Sequence, residues 1–191
     1  MATKKKQAQP LLFTIGHSTL PIEEFIERLK VWGINTVIDI RTIPKSRHNP
    51  QFCKEELEAS LKKSGISYLH LKELGGLRKV DKSSVNEGWR NASFRGYADY
   101  MQTPEFKKAL EQLIRLAKKQ KTVILCAEAV PWRCHRSLVA DSLVARGYPV
   151  EDIFSNTQAK PHLLNPMAKV KGSEITYPLT GKSEIFSRRV C

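Results

Sequence analysis

The chain has 191 residues, of which 41% are hydrophobic, and this length and composition suit one domain with its own core. No apolar run of about 18 residues and no signal-peptide pattern is present, which excludes a typical membrane or secreted protein. The 32 Lys and Arg residues against 19 Asp and Glu give a formal charge of +13, which favours anionic partners. Four cysteines without a regular spacing indicate a reduced compartment, so we predict a cytoplasmic protein with no membrane partner.

After a basic lead-in, the first half of the chain is predicted to form a strand, a helix and a strand. Residues 1–10 carry three consecutive lysines and no apolar period, which predicts disorder. Apolar, β-branched runs at residues 11–15 and 36–40 are typical of buried strands, and apolar residues at helical spacing lie between them. Ser18 or Thr19 is expected to cap the helix. Such a unit favours a right-handed crossover with parallel strands.

The rest of the chain continues this alternation. A helix is predicted over residues 54–63 and a strand over residues 67–70. A buried strand is predicted at residues 122–125, followed by a helix that ends at Gly147. Residues 150–154 are predicted to form a last strand.

Two segments lack this periodicity. Residues 77–100 mix basic, aromatic and glycine residues, and we predict a lid-like insertion with a short helix near its end. Residues 156–191 contain three prolines and no convincing period, which predicts an irregular tail. The fold prediction is therefore a single three-layer α/β domain over residues 11–155, with a mostly parallel central sheet flanked by helices.

Several short motifs resemble the domain-of-unknown-function 488 family over about residues 11–154. The motifs are Thr14-Ile-Gly-His-Ser18, Asp39-Ile-Arg41 with Pro44, Ser46, Arg47 and Phe52, Tyr68-Leu-His70 with Leu74-Gly75-Gly76, and Cys126-x-Glu128 joined to Cys134-His135-Arg136. The resemblance implies an α/β protein whose sheet is flanked by helices. Its paired cysteines suggest an enzyme, although the family has no general activity assigned.

Chemically active residues cluster where predicted parallel strands end. His17 and Ser18, Arg41, His70, and Cys126 with Glu128 each fall at a carboxyl end. The carboxyl ends of parallel strands share one edge of the sheet, and open α/β sheets bind ligands there. We therefore expect these groups to surround one cleft.

A thiol at a strand end, before a helix N-terminus and near arginines, is where a nucleophilic thiolate is stabilised. Either Cys126 or Cys134 is the predicted nucleophile, and His135 or His17 moves protons. Glu128 orients His135 or braces an arginine. Substrate binding is assigned to Ser18, His70, Arg41, Arg47, Arg133 and Arg136, with Arg41, Arg47 and Arg136 forming an anion clamp.

Other interpretations of the same residues remain open. Cys126 can be a small buried hydrophobe that closes a strand. Its position matches the nucleophile of phosphatases and sulfurtransferases, but six residues separate it from Arg133 where the phosphatase loop has five. A disulfide between Cys126 and Cys134 requires the loop to double back. The Cys126, Cys134 and His135 spacing is atypical of zinc sites, so we predict no metal and no cofactor.

These residues predict a thiol-dependent enzyme, of the transferase or hydrolase type, that acts on an anionic substrate. A small anionic molecule, a nucleotide or a nucleic acid would satisfy the charge of the site. The alternative is a non-catalytic nucleic-acid-binding module that uses Lys4, Lys5, Lys6 and the basic segment 78–95. The sequence predicts no oligomeric state.

Overall fold

The computed structural model describes residues 9–179, which form a six-stranded sheet and a small hairpin. The sheet has the order β3-β2-β4-β1-β5-β6, in which neighbouring strands are parallel except for β5 and β6. Its strands are β1 (Leu12–Gly16), β2 (Thr36–Asp39), β3 (Ser67–His70), β4 (Thr122–Cys126), β5 (Val150–Ile153) and β6 (Ala159–Pro161). The hairpin pairs β7 (Lys169–Lys171) with β8 (Glu174–Thr176). The predicted α/β class with a mostly parallel sheet is confirmed.

Five α-helices connect the strands. They are α1 (Ile22–Val31), α2 (Lys54–Lys63), α3 (Ala92–Tyr100), α4 (Pro104–Ala117) and α5 (Arg136–Val144). Helix α4 begins where Thr103 accepts a hydrogen bond from the Phe106 N–H, as its Thr-Pro-Glu start indicates. The expected cap of α1 by Ser18 or Thr19 is wrong, since Pro21 is the N-cap residue and none of the described side chains caps this helix. None of the helices within residues 9–179 is long and apolar enough to cross a membrane.

The helices cover both faces of the sheet and produce the predicted three layers. Alternate residues of a strand point to opposite faces, so β4 places Val123 in one buried cluster and Ile124 in the other. Helices α1 and α2 pack on the Val123 side, and α3, α4 and α5 pack on the Ile124 side. Both faces of the sheet are therefore buried, which explains why the central strands are continuously apolar.

The chain after residue 155 contributes to the same core. It was predicted to form an irregular tail, but β6 pairs with β5 and the β7–β8 hairpin follows. Tyr177 is fully buried, and its hydroxyl donates to Asp141 on α5 at 2.7 Å. The domain therefore extends beyond residue 155 through this segment. Residues 180–191 of the predicted tail, and residues 1–8 of the predicted lead-in, lie outside the described residues.

The order of the strands creates a crevice between β1 and β4. These two strands are adjacent, but α1 follows β1 on one face of the sheet and α5 follows β4 on the other. The connections diverge, so they leave an opening outside the carboxyl ends of both strands. His17 follows β1 and Cys126 ends β4, which places both at this opening.

Candidate active site

A cavity of about 460 Å³ lies at the opening outside β1 and β4. It brings together eight of the eleven predicted site residues, namely His17, Ser18, Arg41, Cys126, Glu128, Arg133, Cys134 and His135. The sequence did not identify several other lining residues, which come from loops and from α3: Thr42, Ile43, Lys45, Ser46, Asn49, Gly76, Leu77, Ser93, Phe94, Tyr97 and Ala127. Arg47, His70 and Arg136 do not line the cavity.

Two thiols and an imidazole form the floor of this cavity. The Nδ1 atom of His135 lies 3.8 Å from the Cys134 sulfur and 4.0 Å from the Cys126 sulfur. Its Nε2 atom lies 3.2 Å from the backbone oxygen of Ile40, which can only accept a hydrogen bond. We therefore assign the proton of the neutral ring to Nε2, which leaves the Nδ1 lone pair facing both sulfurs.

The surroundings of the two thiols favour ionisation of Cys134. The neighbouring Cys126 thiol lowers the pKa of Cys134, and His135 and Arg136 act in the same direction against the opposing effect of burial. The hydrogen bond with Cys134, together with burial, raises the pKa of Cys126. The Cys134 sulfur also accepts the backbone N–H of Arg136 at 3.4 Å, at the start of α5. The pKa of the Cys134 thiol is therefore lowered while that of the Cys126 thiol is raised.

Arg136 supports the loop between β4 and α5 from inside the protein. Its side chain is only 1% exposed, and the guanidinium donates to the backbone oxygens of Glu128 and Ala129. The two terminal guanidinium nitrogens face these backbone oxygens, and Nε has no partner among the described residues, so the part of Arg136 in an anion clamp stays a prediction. No described carboxylate forms an ion pair with Arg136. The positive charge of this buried guanidinium is one of the causes, after Cys126 and His135, that lower the pKa of the Cys134 thiol.

Arg41 is held by an ion pair at the end of β2. Its guanidinium donates to both carboxylate oxygens of Asp39, with the shortest distance 2.6 Å, and it lies 3.2 Å from Nε2 of His17. His70 donates to the Arg41 backbone oxygen at 2.8 Å, so it positions this loop from outside the cavity. Arg41 lines the cavity, but its charge is already balanced by Asp39.

His17 is arranged as a neutral structural group. Burial and the adjacent Arg41 lower the pKa of His17 to about 4. Its Nδ1 lies 2.8 Å from the backbone oxygen of Ser18, and its ring stacks on Phe52 with centroids 4.1 Å apart. Both ring nitrogens therefore have partners, and His135 is the better candidate to exchange a proton with the thiols.

Lys45 and Arg133 are the lining cations whose side chains have no hydrogen bond or ion pair within residues 9–179. Arg47, part of the predicted clamp, is exposed and lies outside the lining. Lys45 was missed because a lysine in a polar loop carries no periodic signal. The Glu128 carboxylate also lines the cavity and has no partner among the described residues; its backbone oxygen, not its carboxylate, accepts from Arg136, so both predicted roles of the carboxylate, orienting His135 or bracing an arginine, stay predictions.

Backbone strain is concentrated at this cavity. Ser18 and Leu77 are the only non-glycine residues with positive φ between residues 9 and 179, at 48° and 58°, and both line the cavity. A non-glycine residue in this region is held there by its surroundings, and such residues cluster at functional sites. The Ser18 N–H donates to the backbone oxygen of Ala127 at 2.8 Å, which ties the two strand ends together.

Two glycines allow the loops to approach the floor of the cavity. A Cβ atom on Gly16 would lie 1.8 Å from the backbone oxygen of Glu128, so no other residue fits there without moving the loop. A Cβ atom on Gly76 would lie 3.1 Å from Nδ1 of His135. Both positions therefore hold the loop and the imidazole in place through close contact.

The predicted insertion, residues 77–100, packs on the domain along one wall of the cavity. Leu77, Phe94 and Tyr97 line the cavity, and the Arg78 guanidinium lies 3.6 Å from the centroid of the Tyr100 ring. The Tyr97 hydroxyl donates to the backbone oxygen of Leu74 at 2.6 Å. A lid motion of this segment stays a prediction.

The same cluster contains donor atoms suited to a metal. The ligand atoms of Cys126, Cys134 and His135 lie within 4.8 Å of one another, and no other described histidine, cysteine or carboxylate joins the group. Three protein ligands with a position open to a cavity match the donor set of a soft metal such as zinc. The sequence predicted no metal here because adjacent cysteine and histidine residues rarely bind one ion.

The fold and the cavity define an α/β protein with a dithiol and an imidazole at the carboxyl ends of its parallel strands. Residues 21–143 match the model of the family described as Domain of unknown function DUF488. This match covers more than half of the chain, so the protein belongs to that family, and the resemblance stated from the sequence motifs is confirmed. Neither a curated protein nor a solved structure matches the chain.

Proposed function

We propose that the protein is a thiol-dependent enzyme in which the Cys134 thiolate attacks an electrophilic centre of a small anionic substrate. The observation that carries this proposal is the position of the Cys134 sulfur. It lies 3.8 Å from an imidazole nitrogen and 3.4 Å from a helix N–H, at the floor of a cavity. Nucleophilic cysteines are activated by this combination of a base, a positive helix end and restricted solvent.

His135 supplies the proton exchange that this chemistry requires. The neutral ring takes the Cys134 proton at Nδ1, while the backbone oxygen of Ile40 holds the opposite nitrogen. The resulting imidazolium can return the proton to a leaving group that departs from the attacked centre. Tyr97 packs against the ring, with centroids 5.0 Å apart, and limits its movement.

The anionic preference is proposed from Lys45 and Arg133 rather than from the arginines closest to the thiols. Arg41 and Arg136 already have internal partners, whereas these two side chains border the cavity without a partner among residues 9–179. Exposed cations contribute modestly to affinity but attract an anion toward the opening. The volume of about 460 Å³ suits a small molecule.

The test is alkylation over a range of pH, with each modified cysteine identified by mass spectrometry. Iodoacetamide should modify Cys134 at a pH well below the ordinary thiol midpoint of about 8.5, because a thiolate persists there. Cys126, whose pKa is raised, should resist modification in the same samples. Cys53, which lies outside the cavity lining, provides the reference thiol. A Cys134 profile with an ordinary midpoint would overturn the proposal.

A second arm tests the charge of the substrate by comparing iodoacetate with neutral iodoacetamide. The anionic reagent should react with Cys134 faster, relative to Cys53, than the neutral reagent does. Lys45→Gln and Arg133→Gln should each lower this preference about threefold, as expected for exposed charges. Lys30→Gln removes the same charge from the exposed face of α1 and should leave the preference unchanged. Equal preferences in all variants would contradict an anionic substrate.

The alternative of a nucleic-acid-binding module receives less support from the described residues. Two of its predicted contacts, Arg78 and Arg95, donate from their side chains to backbone oxygens within the protein. Lys4, Lys5 and Lys6 lie outside the described residues. The net charge of +13 still favours polyanions, and this property is tested separately below.

A further inference from the structure

Cys126 lies close to both Cys134 and His135, although a mechanism with Cys134 as the only nucleophile would not need a second thiol there. Its sulfur lies within 4.8 Å of the Cys134 sulfur and 4.0 Å from the Nδ1 atom of His135. The loop from residue 127 to residue 133 doubles back so that the two thiols meet, and the Arg136 guanidinium holds it in this shape. Two thiols that share one proton acceptor are arranged to react one after the other.

We infer that this site reduces small anionic disulfides, with Cys134 as the attacking sulfur and Cys126 as the sulfur that resolves the mixed disulfide. The inference rests on the proposed function, since both require Cys134 as the nucleophile. It adds the substrate class and gives Cys126 a chemical role.

The first step forms a mixed disulfide. The Cys134 thiolate attacks one sulfur of the substrate, the substrate S–S bond breaks, and the departing thiolate takes the electron pair. The imidazolium of His135, which holds the proton taken from Cys134, protonates this leaving group. One product thiol is released, and the other half of the substrate stays bound to Cys134.

The second step closes the protein disulfide. Nδ1 of His135 takes the proton of Cys126, and the resulting thiolate attacks the sulfur of Cys134. The mixed S–S bond breaks, and the second product thiol leaves with the proton from His135. The sulfurs approach from within 4.8 Å to a bond of about 2 Å. Two protein thiols are oxidised and one substrate disulfide is reduced, so turnover requires an external dithiol as reductant.

The state of Cys134 controls when Cys126 reacts. The hydrogen bond with Cys134, burial and the charge of a Cys134 thiolate all raise the pKa of the Cys126 thiol before the first step. Once Cys134 forms a disulfide, its negative charge is gone and only burial still opposes ionisation of Cys126. The order of the two attacks is therefore set by the contact between the sulfurs.

Burial and charge define the substrate. Cys126 is 6% exposed and Cys134 is 4% exposed, so a disulfide inside a folded protein cannot reach either sulfur. A low-molecular-weight disulfide can enter the cavity, and carboxylate groups on it would meet Lys45 and Arg133 at its border. The exposed side chains of Ile43 and Leu77 offer apolar contact at the same border.

The experiment counts the thiols released by dithiobis(nitrobenzoate), an anionic aromatic disulfide whose product thiol is coloured. The protein carries Cys53→Ser and Cys191→Ser, which leaves only the two cavity thiols. With one molar equivalent of reagent, this protein should release two equivalents of the coloured thiol and lose the mass of two hydrogen atoms. A chelator is present throughout, so bound metal does not protect the thiols.

Adding Cys126→Ser separates this inference from the proposed function. This variant should release one equivalent and retain the nitrobenzoate half on Cys134. The resolving role of Cys126 is supported if this variant keeps the nitrobenzoate half while the parent protein releases both equivalents of the coloured thiol. A parent protein that also retains the adduct would overturn the inference and leave Cys134 as the nucleophile. A Cys126→Ser protein that forms no adduct would overturn the proposed function as well.

The neutral disulfide dithiodipyridine is the matched probe for charge. Lys45→Gln combined with Arg133→Gln should slow the first release from the anionic reagent by about five- to tenfold and leave the neutral reagent nearly unchanged. Lys30→Gln is again the control. Equal slowing with both reagents would show that these side chains do not select an anion.

Discussion

The Asp39 carboxylate connects several residues around the cavity. It is fully buried and accepts hydrogen bonds from Arg41 and from the Tyr68 hydroxyl, the latter at 2.8 Å. Arg41 in turn lies 3.2 Å from His17. Loss of this one carboxylate would leave the Arg41 cation without an ionic partner at the end of β2.

Asp39→Asn is therefore expected to lower the free energy of unfolding by about 3 kcal/mol, since it leaves a buried charge uncompensated. Urea unfolding followed by circular dichroism measures this change. Glu24→Gln is the control, because Glu24 pairs with Arg28 while its side chain is 46% exposed, and its loss should cost less than about 1 kcal/mol. Equal effects of the two substitutions would show that the Asp39 ion pair contributes little.

The composition of the site was predictable only in part at the level of residues. His17, Cys126 and Glu128 could be located because they follow apolar strand segments, and parallel strands share an edge. The sequence carries no comparable signal for the direction in which a loop or helix-terminal side chain points. Arg136 was assigned to an anion clamp from its charge, but as the first residue of α5 it points into the protein. Lys45 was overlooked because its place at the cavity depends on the path of the loop after β2.

A buried network of charges joins β5, α5 and the segment after β6. His162 bonds Asp152 on β5 at 2.9 Å and Asp141 on α5 at 3.1 Å. Thr14 on β1 also donates to Asp152, at 2.6 Å. The elements that follow the cavity loop are therefore connected by ionic and hydrogen bonds as well as by apolar packing.

This network makes the stability of the folded protein depend on pH. Burial disfavours the charged form of His162, but Asp141 and Asp152 more than offset it and raise its pKa to about 9. The unfolded value is about 6.5, so the stabilisation is fully present below that pH and is lost as the pH rises through about 9. Its size is on the order of 3 kcal/mol.

The prediction is tested by measuring urea unfolding of the protein and of His162→Gln at about pH 6 and about pH 9.5. The difference in stability between the two proteins should shrink as the pH rises. Subtracting the variant removes the contributions of other titrating groups. A difference that stays constant or grows with pH would contradict the charged state assigned to His162.

At the level of elements, the sequence predicted the buried strands well and the last part of the fold poorly. The β1, β2 and β4 strands are apolar on both faces because helices cover both, and this leaves a continuous signal. The short β6, β7 and β8 strands have only three residues each and are mostly exposed, apart from the buried Ile175 of β8, so they carry no period. The β6 strand depends on pairing with β5, and the β7–β8 hairpin precedes the buried Tyr177; these contacts are made only in the folded chain.

The whole molecule carries a positive charge that is independent of the cavity chemistry. The excess of 32 Lys and Arg over 19 Asp and Glu should attract any polyanion, including nucleic acid. The affinity that comes only from this surface charge falls steeply as the salt concentration rises. The reason is that counterions released from the polyanion gain less entropy in concentrated salt. Nucleic-acid binding and small-anion chemistry can therefore be distinguished by their response to salt.

We expect an oligonucleotide to bind weakly at low salt, to lose at least about tenfold in affinity between 50 and 200 mM salt, and to bind Cys134→Ser equally well. Fluorescence anisotropy measures the affinity, and iodoacetamide labelling at low salt shows whether the oligonucleotide covers the cavity. Unchanged labelling of Cys134 is expected. Protection of Cys134 by the bound oligonucleotide would instead identify nucleic acid as a ligand of the site.

The central place of β1 in the sheet has a consequence for biosynthesis. Thr14 donates to Asp152, 138 residues further along the chain, and β1 also pairs with β4. The first strand thus leaves the ribosome long before its neighbours exist, and pairing over such a distance is slow. Until β5 has emerged, one side of β1 stays unpaired, so the sheet edge that carries His17 and Cys126 is completed only when most of the chain has been synthesised.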